Sequence, residues 1–304
     1  MASWYEQFDT VCAERLSELK ILRDEPMHAH TTFRIGGPAR RMACPASVQE
    51  LSNLLDLVEE IGFPYLMLGN GSNLLAADEG IDKLVIHTGA MEEMARREGT
   101  VLYAEAGVSL ARLAVFARKE SLTGLEFAHG IPGSLGGAVC MNAGAYGGEM
   151  CQVITSVTAW LPGRGVCEMT LDELDLRYRH SYFSNHEGVV LAATLQLKEG
   201  NEGEIVAVME DLIHRRKEKQ PLEYPSAGST FKRPEGHFAG ALIEQCGLKG
   251  ASVGGAQVSE KHAGFVINTG GATCSDVLAL IERVQRTVLA ETGVSLEPEI
   301  KVTR

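Results

Sequence analysis

The first candidate for chemistry is a short loop that directly follows an apolar stretch at residues 65–68. The loop reads Gly69-Asn70-Gly71-Ser72-Asn73. Its glycines allow positive φ and close approach of a ligand to the backbone, and its consecutive backbone N–H groups could form a nest for an anion. A plain strand-to-loop turn fits the same residues, since glycine turns are common.

A second glycine-rich segment follows later in the chain, Gly130-Ile131-Pro132-Gly133-Ser134-Leu135-Gly136-Gly137. The apolar residues after it predict a helix start, and a helix N-terminus preceded by glycines favours bound phosphate. Tight helix–sheet packing is the alternative explanation. Two such loops favour a dinucleotide held between two structural units. The candidate cofactor-binding residues are therefore Gly69, Asn70, Gly71, Ser72, Asn73, Gly133, Ser134, Gly136 and Gly137.

Three other interpretations of these glycines fail in detail. Gly69-x-Gly71-x-x-Leu74 is not a complete dinucleotide fingerprint, and no helix is predicted directly after it. Neither loop ends in the Gly-Lys-Ser/Thr of a P-loop. Ser134 does not lie in a Gly-x-Ser-x-Gly sequence, so the sequence has no hydrolase nucleophile elbow there.

Composition narrows the class of protein further. The 304 residues include 28 Lys+Arg against 40 Asp+Glu, which gives a net charge of −12. This acidity argues against a nucleic-acid partner, because phosphate contacts need clustered cations. No apolar run approaches the ~18 residues of a membrane span, and the acidic N-terminal residues do not resemble a signal peptide. We therefore expect a cytoplasmic protein without a membrane or nucleic-acid partner.

The thiols and imidazoles give no sign of a metal centre. The seven cysteines are odd in number and never spaced as C-x-x-C, which predicts reduced thiols in a cytosolic protein. The sequence His28-x-His30 is the nearest approach to a metal pair, but it lacks companion ligands. We expect no metal site.

The elements that must position these loops follow from the hydrophobic spacing. Ser47 and Glu50 predict a capping box at the start of one helix, and Gly62 predicts its end. The predicted helices cover residues 4–22, 47–62, 109–120, 203–219, 238–246 and 275–292. The predicted extended segments cover 31–35, 40–44, 65–68, 84–87, 101–106, 153–161, 166–170, 189–197, 265–268 and 299–302. Without internal repeats, these elements predict three compact α+β units.

Several of these segments together resemble a known family. The segments are Thr32-Phe33-Arg34-Ile35-Gly36-Gly37, 68–74, and 130–137 with Asn142-Ala143-Gly144. They resemble the FAD-binding region of the vanillyl-alcohol-oxidase type. More narrowly, residues 25–304 resemble the bacterial UDP-N-acetylenolpyruvoylglucosamine reductases, flavoenzymes of peptidoglycan precursor synthesis.

The resemblance implies an α+β fold, a two-part FAD-binding region plus a smaller substrate-binding domain. The implied parts are FAD-binding subdomain 1 over 1–88, FAD-binding subdomain 2 over 89–202 and a substrate-binding domain over 203–296. The C-terminal strand, 297–304, is expected to return to subdomain 1. FAD is expected to lie non-covalently between the two subdomains.

The family reaction sets what the protein must supply. In this family NADPH gives hydride to FAD, and the reduced flavin gives hydride to the enolpyruvyl group of UDP-N-acetylglucosamine enolpyruvate, forming UDP-N-acetylmuramate. Such a reaction needs a cation near the substrate carboxylate, a donor for the developing enolate oxygen and a proton source at the carbon.

Three residues match the family's catalytic positions. Arg179, in Tyr178-Arg179-His180-Ser181, would bind the carboxylate through its planar, always-charged fork. Ser229, in Ala227-Gly228-Ser229-Thr230-Phe231-Lys232, would donate the proton. Glu299 would stabilise the enol; alternate residues of a strand point the same way, so only the resemblance favours it over Glu297. Taken alone, these residues also fit a solvated face, a turn and a surface carboxylate.

The resemblance also implies substrate contacts at Tyr178, Lys219 and Arg233. Lys219 ends a predicted helix, where a cation also offsets the helix dipole. Many family members carry Asn at the position of Arg233, so that contact differs from the common pattern. The chain resembles the shorter family type, without an extra tyrosine-bearing loop. The alternatives are an oxygen-using oxidase of the same fold and a nucleotide-binding module without catalysis.

Overall fold

A computed structural model describes residues 3–303. These residues form two compact units, each assembled from three separate stretches of chain. The larger unit contains residues 3–23, 41–70 and 83–215. The smaller unit contains residues 24–40, 71–82 and 216–303. The three-part division after residues 88 and 202 stays a prediction.

Both units mix helices with strands. The α-helices within residues 3–303 are α1 (Trp4–Arg15), α2 (Val48–Ile61), α3 (Leu110–Lys119), α4 (Leu135–Cys140), α5 (Glu202–Lys219), α6 (Ala239–Gln245) and α7 (Cys274–Thr292). The strands are β1 (Lys20–Pro26), β2 (Pro38–Cys44), β3 (Tyr65–Leu68), β4 (Leu74–Ala76), β5 (Ile81–His87), β6 (Met94–Arg96), β7 (Val101–Glu105), β8 (Leu122–Thr123), β9 (Gly144–Ala145), β10 (Gly148–Glu149), β11 (Ile154–Leu161), β12 (Gly165–Thr170), β13 (Val189–Gln196), β14 (Lys198–Glu199), β15 (Ser252–Val253), β16 (Ala256–Val258), β17 (Val266–Asn268) and β18 (Lys301–Thr303).

A five-stranded antiparallel sheet dominates the larger unit, in the order β12-β11-β13-β7-β6. Buried residues of α3, α4 and these strands share one hydrophobic core. A second core contains α1, α2 and part of β5. Strand β3 pairs parallel with β5, with Tyr65 opposite Leu84. The end of β3 at Leu68 fixes where the first glycine loop begins.

The smaller unit is built around α7 and the three-stranded antiparallel sheet β15-β16-β17. The buried side chains of α7, including Val277, Leu280 and Val284, pack in a core with residues of α6 and β16. Strand β18 pairs parallel with β4, with Lys301 opposite Leu74. This pairing brings two segments that are distant in sequence into one unit.

Most of the predicted elements are confirmed, with ends shifted by one to three residues. The predicted ends of α2 are confirmed, but only half of the predicted capping box forms. The Ser47 hydroxyl accepts a hydrogen bond from the Glu50 N–H at 3.2 Å, whereas the Glu50 carboxylate accepts from the Ala46 N–H at 2.8 Å. Gly62 ends the helix at φ +78°. No helix within residues 3–303 has both the length and the apolar character to cross a membrane.

The predicted helix over 4–22 is wrong in its second half. Helix α1 ends at Arg15, and the Leu19 N–H donates to the Leu16 carbonyl in a turn before β1. Leu16, Leu19 and Leu22 match a helical spacing, but Leu16 and Leu19 lie in this turn and Leu22 in the strand. Apolar spacing alone does not separate these arrangements in a short segment.

The predicted extended segment at 31–35 is also wrong. The Thr31 hydroxyl donates to the Ile35 carbonyl at 3.1 Å, the Arg34 N–H donates to the Thr31 carbonyl, and Arg34 has φ +55°. A threonine that hydrogen-bonds nearby backbone competes with strand pairing. The segment is therefore a compact turn.

Candidate functional site

The first glycine loop begins in the larger unit, where it packs against the second glycine loop. A Cβ atom added to Gly69 would lie 2.1 Å from the Ser134 Oγ atom, so any side chain there would have to displace Ser134. The Asn70 side chain donates to the Pro132 carbonyl at 3.3 Å. The structure therefore brings Gly69 and Asn70 together with residues 132–134.

The loop continues in the smaller unit with Gly71, Ser72 and Asn73. Gly71 has φ +58°, and a Cβ atom there would lie 2.1 Å from the His30 carbonyl oxygen. Its own carbonyl accepts from the Thr32 N–H at 3.2 Å. The Gly71, Ser72 and Asn73 N–H groups have no hydrogen-bond partner within residues 3–303. The result is a run of unpaired amides in which only glycine fits at position 71.

The backbone amides of the second glycine loop fall into two groups, those bonded to neighbouring backbone carbonyls and those without such a bond. The Leu135 N–H donates to the Val108 carbonyl, and the Gly136 N–H donates to the Ala106 carbonyl at 2.9 Å. In the described chain, the N–H groups of Gly133 and Ser134 have no such partner. Gly136 therefore packs closely against the end of β7, while the N–H groups of Gly133 and Ser134 are available as hydrogen-bond donors to a ligand. Unpaired backbone amides of this kind are suited to bind an anion such as a phosphate group.

Arg179 lies in the larger unit on a tight two-residue turn. Arg177 and His180 exchange backbone hydrogen bonds of 3.1 and 3.0 Å, and Arg179 has φ +53°. Its guanidinium lies over the Tyr178 ring, 5.1 Å from the centroid. A hydrogen bond from Arg177, with a further one from His180, lowers the pKa of the Asp175 carboxyl beside this turn.

Both ends of this turn are attached to the segment around the end of α4. The buried Asn142 side chain donates to the Arg177 carbonyl at 3.2 Å and to a Glu149 oxygen at 3.1 Å. Its own oxygen accepts from the Cys151 N–H at 2.9 Å. The Ser181 hydroxyl donates to the Cys140 carbonyl at 2.8 Å. The sequence pattern assigned no role to Asn142, because its partner Arg177 is 35 positions away.

Ser229 and its neighbour Thr230 have opposite environments in the smaller unit. The Thr230 side chain is buried, and its hydroxyl accepts from the Val266 N–H at 2.9 Å. The Thr230 N–H donates to the Gly264 carbonyl at 2.8 Å. Ser229 is exposed, and its hydroxyl has no hydrogen-bond partner among the described residues. The structure therefore leaves Ser229, and not Thr230, available to a ligand.

Glu299 lies in an extended segment paired with the residues that follow Ser229. The Glu299 N–H donates to the Thr230 carbonyl at 2.8 Å, and the Asn73 side chain donates to the Glu299 carbonyl at 3.2 Å. Glu297, the alternative that the sequence left open, forms an ion pair with Lys232. Ser229, Glu299 and Asn73 are thus brought together in the smaller unit.

The predicted substrate-binding residues are exposed at three separate positions. Lys219 is the last residue of α5. The Arg233 guanidinium lies 4.0 Å from the centroid of the Phe238 ring, and Phe238 is 61% exposed. Tyr178 is 53% exposed in the turn that carries Arg179. Residues 3–303 contain no group of three His, Cys, Asp or Glu side chains placed to hold a metal ion.

Comparison with protein families divides the chain into two matched regions. Residues 39–169 match the FAD binding domain, and residues 220–303 match the C-terminal domain of UDP-N-acetylenolpyruvoylglucosamine reductase. These matches confirm the predicted architecture of an FAD-binding region plus a smaller α+β domain.

Whole-chain comparisons agree with the family matches. A UDP-N-acetylenolpyruvoylglucosamine reductase of Caldanaerobacter subterraneus is 50% identical over 289 residues, 95% of each chain. The reductase of Agathobacter rectalis is 50% identical over 301 residues, covering 95% of this chain and 96% of the relative. The crystal structure of the Thermus caldophilus reductase matches with a TM-score of 0.80 and 36% identity, over 94% of this chain and 99% of that one.

Proposed function

Because the chain belongs to the UDP-N-acetylenolpyruvoylglucosamine reductase family, we propose that it reduces the enolpyruvyl group of UDP-N-acetylglucosamine enolpyruvate with NADPH. The product is UDP-N-acetylmuramate, so the protein acts in peptidoglycan precursor synthesis. We place it in the cytoplasm, where its activity supports cell-wall growth, cell shape and division.

FAD is the cofactor that the matched domain implies. When bound, it carries hydride from NADPH to the substrate double bond. Its diphosphate would be held non-covalently by the unpaired amides of Gly71, Ser72 and Asn73 and by those of Gly133 and Ser134. Neutral N–H donors of this kind bind phosphate without needing a cationic side chain.

Arg179 and Glu299 act on the carboxyl end of the enolpyruvyl group. The Arg179 guanidinium binds the substrate carboxylate with two parallel donors, a geometry that matches two carboxylate oxygens. Negative charge develops on this group when the double bond is reduced. Glu299 interacts with the enol form of this group and stabilises it.

Ser229 completes the addition by donating its Oγ proton to the carbon next to the substrate carboxyl group. Hydride added to one carbon of the double bond leaves a carbanion at the other, and a carbanion is a strong enough base to take a proton from a well-placed hydroxyl. The observation that carries this assignment is the exposed, unpartnered Ser229 hydroxyl beside the buried Thr230, whose hydroxyl accepts from the Val266 N–H. Exposure also lets Ser229 regain its proton from water.

The UDP part of the substrate needs cations and flat surfaces. Lys219 supplies an exposed ammonium group for the diphosphate, and Arg233 supplies a guanidinium fork that binds phosphate oxygens in pairs. Tyr178 presents an exposed ring next to Arg179. We propose these three residues as the substrate-binding set outside the reacting group.

The experiment that tests this function follows NADPH oxidation by the purified holoenzyme. Rapid NADPH consumption that starts only when UDP-N-acetylglucosamine enolpyruvate is added supports a reductase. Consumption that depends on oxygen and not on this substrate would instead identify an oxidase. A protein that binds nucleotide but leaves NADPH unchanged under both conditions would be a binding module.

A further inference from the structure

The contacts around the Arg179 turn carry an inference about how the arginine is positioned. We propose that Asn142 and Ser181 are positioning residues that hold this turn in the conformation that binds the substrate carboxylate. The proposal rests on the proposed function of Arg179 and goes beyond it, because neither side chain touches the reacting atoms.

The first observation is that the Asn142 side chain makes three hydrogen bonds. It is 1% exposed, and its side chain connects Arg177, Glu149 and Cys151. The Arg177 carbonyl that it binds also accepts the His180 N–H that closes the turn. Asn142 therefore holds the atom on which the turn's conformation depends. Its own φ of +40° suits an asparagine better than most residues.

The second observation concerns the other end of the turn. Ser181 is fully buried, and its hydroxyl donates to the Cys140 carbonyl at the last residue of α4. Asn142 is two residues beyond Cys140, so both ends of the turn are fixed to the same short segment. Helix α4 begins directly after Ser134, one of the amides proposed for FAD. The carboxylate-binding arginine and the cofactor loop thus share one rigid support.

A turn with a non-glycine residue at φ +53° is strained. It persists when its surroundings hold it in place. Loss of either support should let the turn relax and move the Arg179 guanidinium. Displacements near 1 Å cost up to about 100-fold in well-oriented reactions. We therefore expect a specific loss at the carboxylate, with little effect elsewhere in the substrate.

The test uses Asn142→Gly and Ser181→Ala in FAD-loaded enzyme. Glycine accepts φ +40° without strain, so Asn142→Gly removes the three hydrogen bonds alone. Titration should show the enolpyruvyl substrate binding about 10-fold more weakly, while UDP-N-acetylglucosamine, which lacks the carboxylate, binds within about twofold of wild type. Flavin reduction by NADPH should keep its rate. Thr155→Ala is the matched control, since its hydroxyl also bonds a backbone carbonyl of the larger unit.

A double mutant with Arg179→Ala distinguishes a positioning role of Asn142 from a general effect on protein stability. In an Arg179→Ala background, adding Asn142→Gly should weaken substrate binding by less than about twofold, because residues acting through one group are not additive. Equal weakening of both ligands, or full additivity with Arg179→Ala, overturns the proposal. If Asn142→Gly does not fold, Ser181→Ala decides by the same criteria. Failure of wild-type enzyme to bind the enolpyruvyl substrate would instead refute the proposed function.

Discussion

The backbone N–H of Glu299 donates to the carbonyl of Thr230 at 2.8 Å. This hydrogen bond pairs the segment that carries the proposed enol-stabilising carboxyl group with the segment that carries the proposed proton donor. The carbonyl that accepts this bond belongs to Thr230, so the pairing holds the backbone at Thr230 and not at Ser229. The two hydroxyl-bearing neighbours should therefore respond to mutation in different ways.

We expect Ser229→Ala to slow reoxidation of the reduced flavin by the enolpyruvyl substrate by roughly 100-fold or more, the usual scale for a general acid. Flavin binding and flavin reduction by NADPH should be spared, because neither needs this hydroxyl. Ser229→Cys should recover part of the loss, since a thiol also donates a proton. Stopped-flow absorbance of the flavin follows each half-reaction separately.

Thr230→Ala is the control for this experiment. It leaves the buried Val266 N–H without its partner, which costs about 1–3 kcal/mol of unfolding free energy. Its effect on the rate of reoxidation should be far smaller than that of Ser229→Ala. A larger kinetic loss from Thr230→Ala, or equal slowing of both half-reactions by Ser229→Ala, would contradict the assignment of Ser229.

Gly71→Ala should reduce the FAD content of the purified protein. The added methyl group would lie 2.1 Å from the His30 carbonyl oxygen, so the loop with the unpaired amides has to move. Gly99→Ala is the matched control, because Gly99 has a similar φ of +62° with nothing within 4 Å. Both variants pay about 1–2 kcal/mol for the left-handed backbone. Equal FAD content in the two variants would argue against a role for this loop in cofactor binding.

FAD should leave the denatured protein completely. The proposed contacts are hydrogen bonds from backbone amides, and these are lost when the chain unfolds. Heat or acid precipitation should therefore release all the flavin into the supernatant, where its absorbance measures the yield. Flavin retained on the washed, denatured polypeptide would demonstrate a covalent link.

The ion pair between Asp9 and Arg41 should make the larger unit sensitive to acid. Arg41 is buried and donates two hydrogen bonds of 2.7 Å to Asp9. These bonds lower the pKa of the Asp9 carboxyl, although burial opposes them. The pKa of Asp9 in the folded protein therefore lies below its unfolded value of about 3.9. The pair's contribution is therefore present above about pH 4 and is lost as the pH falls through the folded pKa.

Asp9→Asn should reduce the free energy of unfolding by about 2–3 kcal/mol at neutral pH, because it removes the negative charge that accepts two hydrogen bonds from the buried Arg41 guanidinium. The difference from wild type should shrink below about pH 4 in denaturant titrations. Asp24→Asn breaks the exposed Asp24–Arg40 pair and should change stability by less than about 1 kcal/mol. A constant effect of Asp9→Asn across this pH range would argue against the ionic contribution.

Local signals in the sequence predicted the parts of the fold that depend on local chemistry. The start of α2 at the Ser47 cap and its end at Gly62 are of this kind, since both depend on residues within one turn of the helix. The glycine loops were recognised for the same reason. The end of α1 was missed, because the choice between helix and strand after Arg15 depends on pairing within a sheet.

Family motifs predicted the residues of the candidate site one by one, but the sequence did not predict which residues hold them in place. The sequence offered Gly136 and Gly133 as equal amide donors, but packing against Ala106 commits only the Gly136 N–H. Likewise, strand alternation alone did not separate Glu297 from Glu299, and only the structure shows that Glu297 forms an ion pair with Lys232. Such distinctions come from contacts between segments that are remote in sequence, which spacing within one segment does not encode.

The parallel pairing of β4 with β18 also bears on how the protein matures during synthesis. Within residues 3–303, β4 has no other strand partner, and the nearby Asn73–Glu299 contact joins residues 226 positions apart. At a ribosomal rate of ~5–20 residues per second, β4 waits more than ten seconds for its partner to emerge. Asn73, which directly precedes β4, gains its contacts with Glu299 and Lys301 only after that delay. A chain that terminated before β18 would leave the edge of β4 exposed and open to aggregation.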